Sequence, residues 1–149
     1  MRKMKVGKVT FTEAYKAVHE YRQKFPEKAV TFYAQNYPAM GWAVFMAGGS
    51  CPVIPCTDKA FLKDAAAMEV EETDTDNYKK MVKSGIGSII YSNSGVEVPV
   101  QLSSGKYILR YIHPDSGEME VISKSLKINN VYTLKVPDGK EGVYWFHRL

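Results

Sequence analysis

The sequence is poor in the side chains that most directly announce chemistry, with two cysteines and three histidines in 149 residues. Cys51 and Cys56, in CPVIPC, are too few for a disulfide framework, and His19, His113 and His147 fall at no zinc-site spacing. A bridge across CPVIPC is geometrically possible, but buried free thiols, packed as small hydrophobes, are the expected state. No apolar run reaches the ~18 residues of a membrane span, and the basic start (Arg2, Lys3, Lys5, Lys8) is not followed by a signal-peptide apolar stretch. The compartment is left open. The formal charge of +4 comes from 20 basic and 16 acidic residues. Away from the first eight residues no basic stripe interleaves with aromatics, so nucleic acid is not an expected partner. No internal repeat or low-complexity tract is present.

What is there suits an ordinary folded domain. Hydrophobic residues make up 45% and charged residues 24%, enough for a real core and against disorder. Ten tyrosines raise the aromatic share to 12%, and such rings either fill cores or offer flat faces to sugars.

The first part of the chain reads as helices around short extended pieces. Thr10 and Glu13 form a capping-box pattern, and Ala14, Ala17, Val18, Tyr21 and Phe25 follow at helical spacing until Pro26. Residues 29 to 34, Ala-Val-Thr-Phe-Tyr-Ala, predict a buried strand. Pro38 opens a helix that is apolar on every side through Ala47 and stops at Gly48-Gly49. Pro52 to Pro55 is extended, and Thr57 is placed to cap a third helix through Ala67 with Phe61, Leu62, Ala65 and Ala66 inward.

From Gly87 the period becomes two. Ile89 and Tyr91, Val96 to Leu102, Tyr107 to Tyr111, Met119 and Val121, Tyr132 to Val136, and Val143 and Trp145 alternate with polar residues. Turn signals at residues 93–95, 103–105, 114–117, 129–130 and 137–139 separate them, which predicts an antiparallel meander or sandwich. The fold class is α+β: a short helical, α/β amino-terminal segment packed on a carboxyl-terminal antiparallel β-sandwich, dividing into residues 1–68 and 69–149.

The stretch GSIIYSNSGVEVPVQLSSGKYILRYIHPDSGEMEV, with GVYWFHRL as a last strand, resembles the small β-sandwich that follows the catalytic barrel in many bacterial glycoside hydrolases, a domain often labelled collagen-binding. The likeness rests on the Pro-x-x-Gly-Glu hairpin in that strand order and covers residues 69 to 149. The preceding helices are similar to the last steps of a (β/α)8 barrel, with MGWAVFMAGGSCPVIP in place of the Trp-containing helix and Gly-rich turn before the final barrel strand. The resemblance implies a periplasmic or secreted parent protein. It does not imply collagen binding, because a shared fold does not carry function.

Glycoside hydrolysis needs two carboxyl groups across the scissile bond. The resemblance implies a Glu at the end of the strand over 30 to 34; this sequence has Gln35 and then Asn36, and no Asp or Glu occurs between Glu27 and Asp58. The barrel strand that would carry the second carboxylate has no counterpart in these residues. No catalytic residue, metal ligand or cofactor is therefore assigned. The expected function is a non-catalytic accessory module related to glycoside hydrolases, binding carbohydrate or a partner, or else bracing an otherwise intact hydrolase.

Ligand-binding candidates are Tyr37 first, then Gln35, Asn36, Trp42 and Tyr111, although Trp42 and Trp145 also suit a core. The acidic run Asp64, Glu69, Glu71, Glu72, Asp74 and Asp76 reads as a solvated linker, lacking the Gly and terminal Glu of a calcium loop. Ser50 fits neither Gly-x-Ser-x-Gly nor a phosphate loop. His113 reads as turn structure, with Asp115 the evident carboxylate neighbour, and the facing of His147 is undecided. The apolar residues at 29 to 34 and 39 to 47 must be covered, either by folding back on the sandwich or by a second copy in a homodimer.

Overall fold

The computed structural model describes residues 9–32 and 38–149. Among them are helices α1 (Phe11–Lys24), α2 (Pro38–Met46) and α3 (Lys59–Ala67), followed by strands β1 (Glu69–Glu71), β2 (Tyr78–Lys83), β3 (Gly87–Ser92), β4 (Glu97–Gln101), β5 (Gly105–Ile112), β6 (Met119–Ile128), β7 (Val131–Lys135) and β8 (Gly142–Arg148).

Helix α1 begins at the expected capping box. Glu13 N–H donates to Thr10 Oγ1 at 3.2 Å while Thr10 N–H donates to Glu13 Oε2 at 3.0 Å, so two amides without helical partners are satisfied reciprocally. Its inner face is Ala14, Tyr15 and Val18, whereas Tyr21 is exposed. The cap of α3 is Asp58 rather than Thr57, because the Asp58 carboxylate accepts Phe61 N–H at 2.8 Å. Helix α2 is covered as a wholly apolar helix must be: Met40 and every residue from Trp42 to Ala47 are buried. The return segment runs directly over it, for a Cβ on Gly41 would stand 1.7 Å from the Val53 carbonyl oxygen.

The strand expected at 29 to 34 does not form over 29 to 32. These residues carry no regular secondary structure, Val30 and Phe32 are half-buried against the core, and residues 33 and 34 lie outside those described. Among the described residues Val30 is hydrogen-bonded to Ser50 only, donating to its Oγ at 3.2 Å and accepting its N–H at 2.7 Å. Two bonds to one residue make a pin, not a ladder. Both sheets are antiparallel throughout, so among the described residues no parallel pair of a barrel is present.

The larger sheet has the order β1-β2-β3-β8-β5-β6, and β4 pairs with β7 in a second, two-stranded sheet. The centre of the large sheet is buried on both faces: all six residues of β3 and the first five of β8 are buried. Alternation then sorts the side chains. Ile89, Tyr91, Val143 and Trp145 face the helices in one core, and Ile90, Tyr144 and Phe146 face Val98, Val100 and Leu134 of the small sheet, with Val136 just beyond it, in another. The fold is α+β in three layers, with helices, six strands and two strands, and the helical segment folds back on the sandwich.

Gly95, Gly117 and Gly139 sit at positive φ in the expected turns, whereas Gly105 already opens β5 and a further turn joins β2 to β3 at 84–86. Strand β6 carries register shifts against β5 on both sides of the Leu109–Ser123 pair, so it is a bulged edge strand. Cys56 is buried and free, but Cys51 is exposed, in the left-handed region at φ 50°.

The hairpin turn at 113–117 is seated on the amino-terminal segment. Trp42 donates its indole N–H to the Pro114 carbonyl at 2.8 Å. Gly117 sits at φ 75°, where an added Cβ would lie 2.5 Å from the Pro55 carbonyl oxygen. Gly139 has nearly the same φ, 74°, with nothing within 4 Å of an added Cβ. Gly139→Ala should therefore cost only the left-handed penalty, about 1 kcal/mol, and Gly117→Ala about 2 kcal/mol or more by adding a backbone collision. Urea unfolding of the two variants measures the difference, and equal losses would show that the turn is not seated on residues 52–56.

Candidate functional site

Gln35, Asn36 and Tyr37 lie outside the described residues. Trp42 and Tyr111 are core side chains, not ligand platforms. Trp42 is fully buried, edge-on to Phe45 and Phe61 at centroid distances of 5.5 and 6.2 Å, and its N–H is already spent on Pro114. Tyr111 is 3% exposed, donates its hydroxyl to the Glu141 carbonyl at 2.8 Å, and carries the Lys140 ammonium 4.9 Å from its ring centroid. Neither offers a free ring face on which a sugar could stack.

A different constellation is assembled where α3 crosses β8. Phe61, Asp64 and Ala65 share the inner face of α3 by helical spacing. Trp145 and His147, two apart on β8, share the face turned toward it, which fixes the orientation that the sequence left undecided. Asp64 Oδ2 accepts the Trp145 indole N–H at 2.9 Å and lies 2.7 Å from His147 Nδ1. Asp64 is 7% exposed, so it is a buried carboxylate answered by two donors. A carboxylate at Nδ1 directs Nε2 away from it, the arrangement by which acidic residues orient histidines in catalysis and metal binding. Trp145 is packed edge-on by Phe61 at 5.4 Å, and the Arg110 guanidinium lies 4.8 Å from its ring centroid. Among the described residues Arg110 Nη1 is buried without a hydrogen-bond partner.

The acidic run is not a free linker. Glu69–Glu71 is strand β1; Glu71 pairs with Lys80 at 2.7 Å, and Glu72 meets His19 Nε2 at 2.6 Å and accepts from Gln23 at 2.9 Å. Asp76 reaches Lys79 at 3.3 Å and Lys16 at 3.4 Å, and the hydrogen bond from Lys79 holds its carboxyl below the usual range. The run thus ties α1 to the edge of the sheet. His113 pairs with Glu120 at 3.0 Å rather than with Asp115, and Lys140, also on Glu120 at 2.9 Å, helps hold that carboxyl below its ordinary value. No group of three His, Cys, Asp or Glu placed to hold a metal occurs among the described residues. A surface groove of about 620 Å³ lies between α1, the end of α2 and α3, with Phe45, Ile54, Met68 and Val70 in its walls.

Sequence reasoning missed Arg110 altogether and took Asp64 for part of the solvated run. A signal for His147 was available in the alternation with Trp145; its partner, 83 positions away, gave none.

Residues 1–68 match the model of a family described as a domain of unknown function (DUF6298). No curated protein matches the chain. Among solved structures, one named "Glycoside hydrolase" is similar over 56% of this chain and 20% of that one, at 14% identity and a TM-score of 0.40. The chain therefore spans about a fifth of the length of that structure.

Asp64→Ala would strand the buried Trp145 N–H and should cost about 2 kcal/mol in urea unfolding, while Asp64→Asn, whose amide oxygen still accepts, should cost less than half of that. Equal losses would show that Asp64 acts by packing alone. Burial, with a smaller contribution from Glu72, pushes the Tyr15 phenol from its ordinary 10 to about 12, and burial raises Tyr91 and Tyr144 as well. The unfolded chain loses these protons first, so their contribution is complete below pH ~10 and fades as pH rises through the folded values. Stability measured by urea titration should fall between pH 10 and about 12, and Tyr15→Phe should shrink the fall.

Proposed function

We propose that this chain is a non-catalytic module related to glycoside hydrolases, in which residues 69–149 form a sandwich that braces the barrel-tail-like residues 1–68. The observation that carries the reading is the double burial of β3 and β8. A sandwich sufficient in itself would leave the outer face of its large sheet polar. Here that face presents Ile89, Tyr91, Val143 and Trp145, and these pack with Trp42, Phe45 and Phe61 of the helical segment. The hydrolase relationship is supported by the order of strand, turn and Pro-x-x-Gly-Glu hairpin in the sequence, which also favours a secreted or periplasmic parent. Gln35, where such a parent would carry an acidic side chain, favours a role without bond cleavage.

Bracing requires the helices and the sandwich to unfold as one unit. Trp42 reports on the helices and Trp145 on the sheet, so Trp145→Phe and Trp42→Phe each leave a single reporter. In each variant the fluorescence transition in urea should coincide with the loss of β-sheet circular dichroism. A Trp42 signal that melts well before the sheet would refute the brace.

Carbohydrate binding is a second reading, favoured by the succession Gln35-Asn36-Tyr37: two amides and a phenol are the side chains that hydrogen-bond and stack on sugars. Binding to a glycan array, lost on Tyr37→Ala, would support it; an array without any bound glycan would not.

A further inference from the structure

Beside α3, part of the helix-side face of the large sheet is open. Ile108 and Arg110 of β5 stand opposite His147 and Trp145 of β8, and Val121 of β6 stands opposite Arg110. Residues paired across strands point to the same side, so these five share one face. Trp145 is buried, but Ile108, Arg110 and His147 are only half-buried and Val121 is 50% exposed.

Arg110 is the anomaly on this strip. Its guanidinium has five N–H donors, lies over the Trp145 ring, and among the described residues has one nitrogen buried without an acceptor. None of the ion pairs among the described residues includes it. An exposed lysine is solvated by water, but a half-buried guanidinium loses hydration that the stacking on an indole offsets only in part. An oxyanion is the partner that its planar fork fits. Diagonal neighbours across an antiparallel pair lie ~7–8 Å apart, within reach of long side chains, and His147 is the diagonal neighbour of Arg110. With Nδ1 committed to Asp64, Nε2 is the imidazole nitrogen left for a ligand, and Asp64 itself is withdrawn, 7% exposed and occupied by two donors.

We propose that this strip binds an organic carboxylate with an apolar body: the carboxylate on the guanidinium of Arg110, with the His147 imidazole beside it, and the apolar body along Ile108 and Val121. Neither the bracing role nor a sugar site at residues 35–37 requires it.

The test is a titration of the full-length ¹⁵N-labelled chain with sodium hexanoate, with hexanol and inorganic phosphate as comparators, followed by the Arg110 Nε and Trp145 Nε1 resonances. Hexanoate should move both signals saturably. Arg110→Gln should weaken binding by about tenfold or more, as expected for the loss of a charge-assisted pair, and His147→Gln by a few-fold. Circular dichroism checks the fold of each variant; should Arg110→Gln unfold, Arg110→Lys, which keeps the charge but loses the fork, is read in its place and should still weaken binding. The proposal is overturned if neither resonance moves, if hexanol binds as well as hexanoate, if phosphate binds as tightly, or if a folded Arg110 variant binds like the wild type.

Discussion

A sheet whose central strands are apolar on both faces has to be covered twice, and the rest of this structure is arranged to meet that demand. The two-stranded β4–β7 sheet covers one side with Val98, Val100 and Leu134. The helices cover the other, and in doing so solve their own difficulty, since α2 has no polar face to give to water. Each layer lacks something that another supplies. Burial at roughly 25 cal/mol per Å² makes aromatic side chains of the size of Trp42, Phe61 and Trp145 the largest contributors to this mutual dependence.

Directional bonds then fix how the layers sit. Dispersion and burial hold helices to a sheet in many orientations, but a buried N–H accepts few substitutes for its partner. Trp42 to Pro114 and Trp145 to Asp64 are two such bonds, one at the hairpin end of the sheet and one at α3. Glu72 with His19 and Asp76 with Lys16 add exposed contacts at α1, which are weaker because water screens them. The helical segment is thus located by one buried and one partly buried bond and trimmed by surface charge.

Much of this was legible in the sequence because its causes are local. The capping box at Thr10, the wholly apolar run at 38–47 and the period-two strands with Gly and Asn at their turns each depend on neighbours within a few positions. The segment at 29–32 was not, because a β-branched, aromatic run specifies a strand only if another strand lies beside it, and among the described residues no strand does, Val30 bonding to Ser50 instead. Tyr111 and Trp42 drew attention as ring faces; burial, which no local pattern gives, made them core. The Asp64–His147–Trp145 grouping depends on α3 crossing β8 and on strand parity at once, so neither element announces it. Arg110 was silent for the same reason: an arginine on a strand looks like any solvated one until its partner across the sheet is known to be a tryptophan.

The bulges of β6 bear on how the protein behaves in a crowd. An outermost strand of ten residues with Val121 and Ile122 showing is a natural template for stacking by another polypeptide. The two offsets against β5 break the even spacing of its outward amides and carbonyls, and Lys124 and Lys127 place charge along the same rim. Growth of cross-β fibrils from this margin requires an uninterrupted, uncharged row, so the irregular strand acts as a built-in guard against self-association at high concentration.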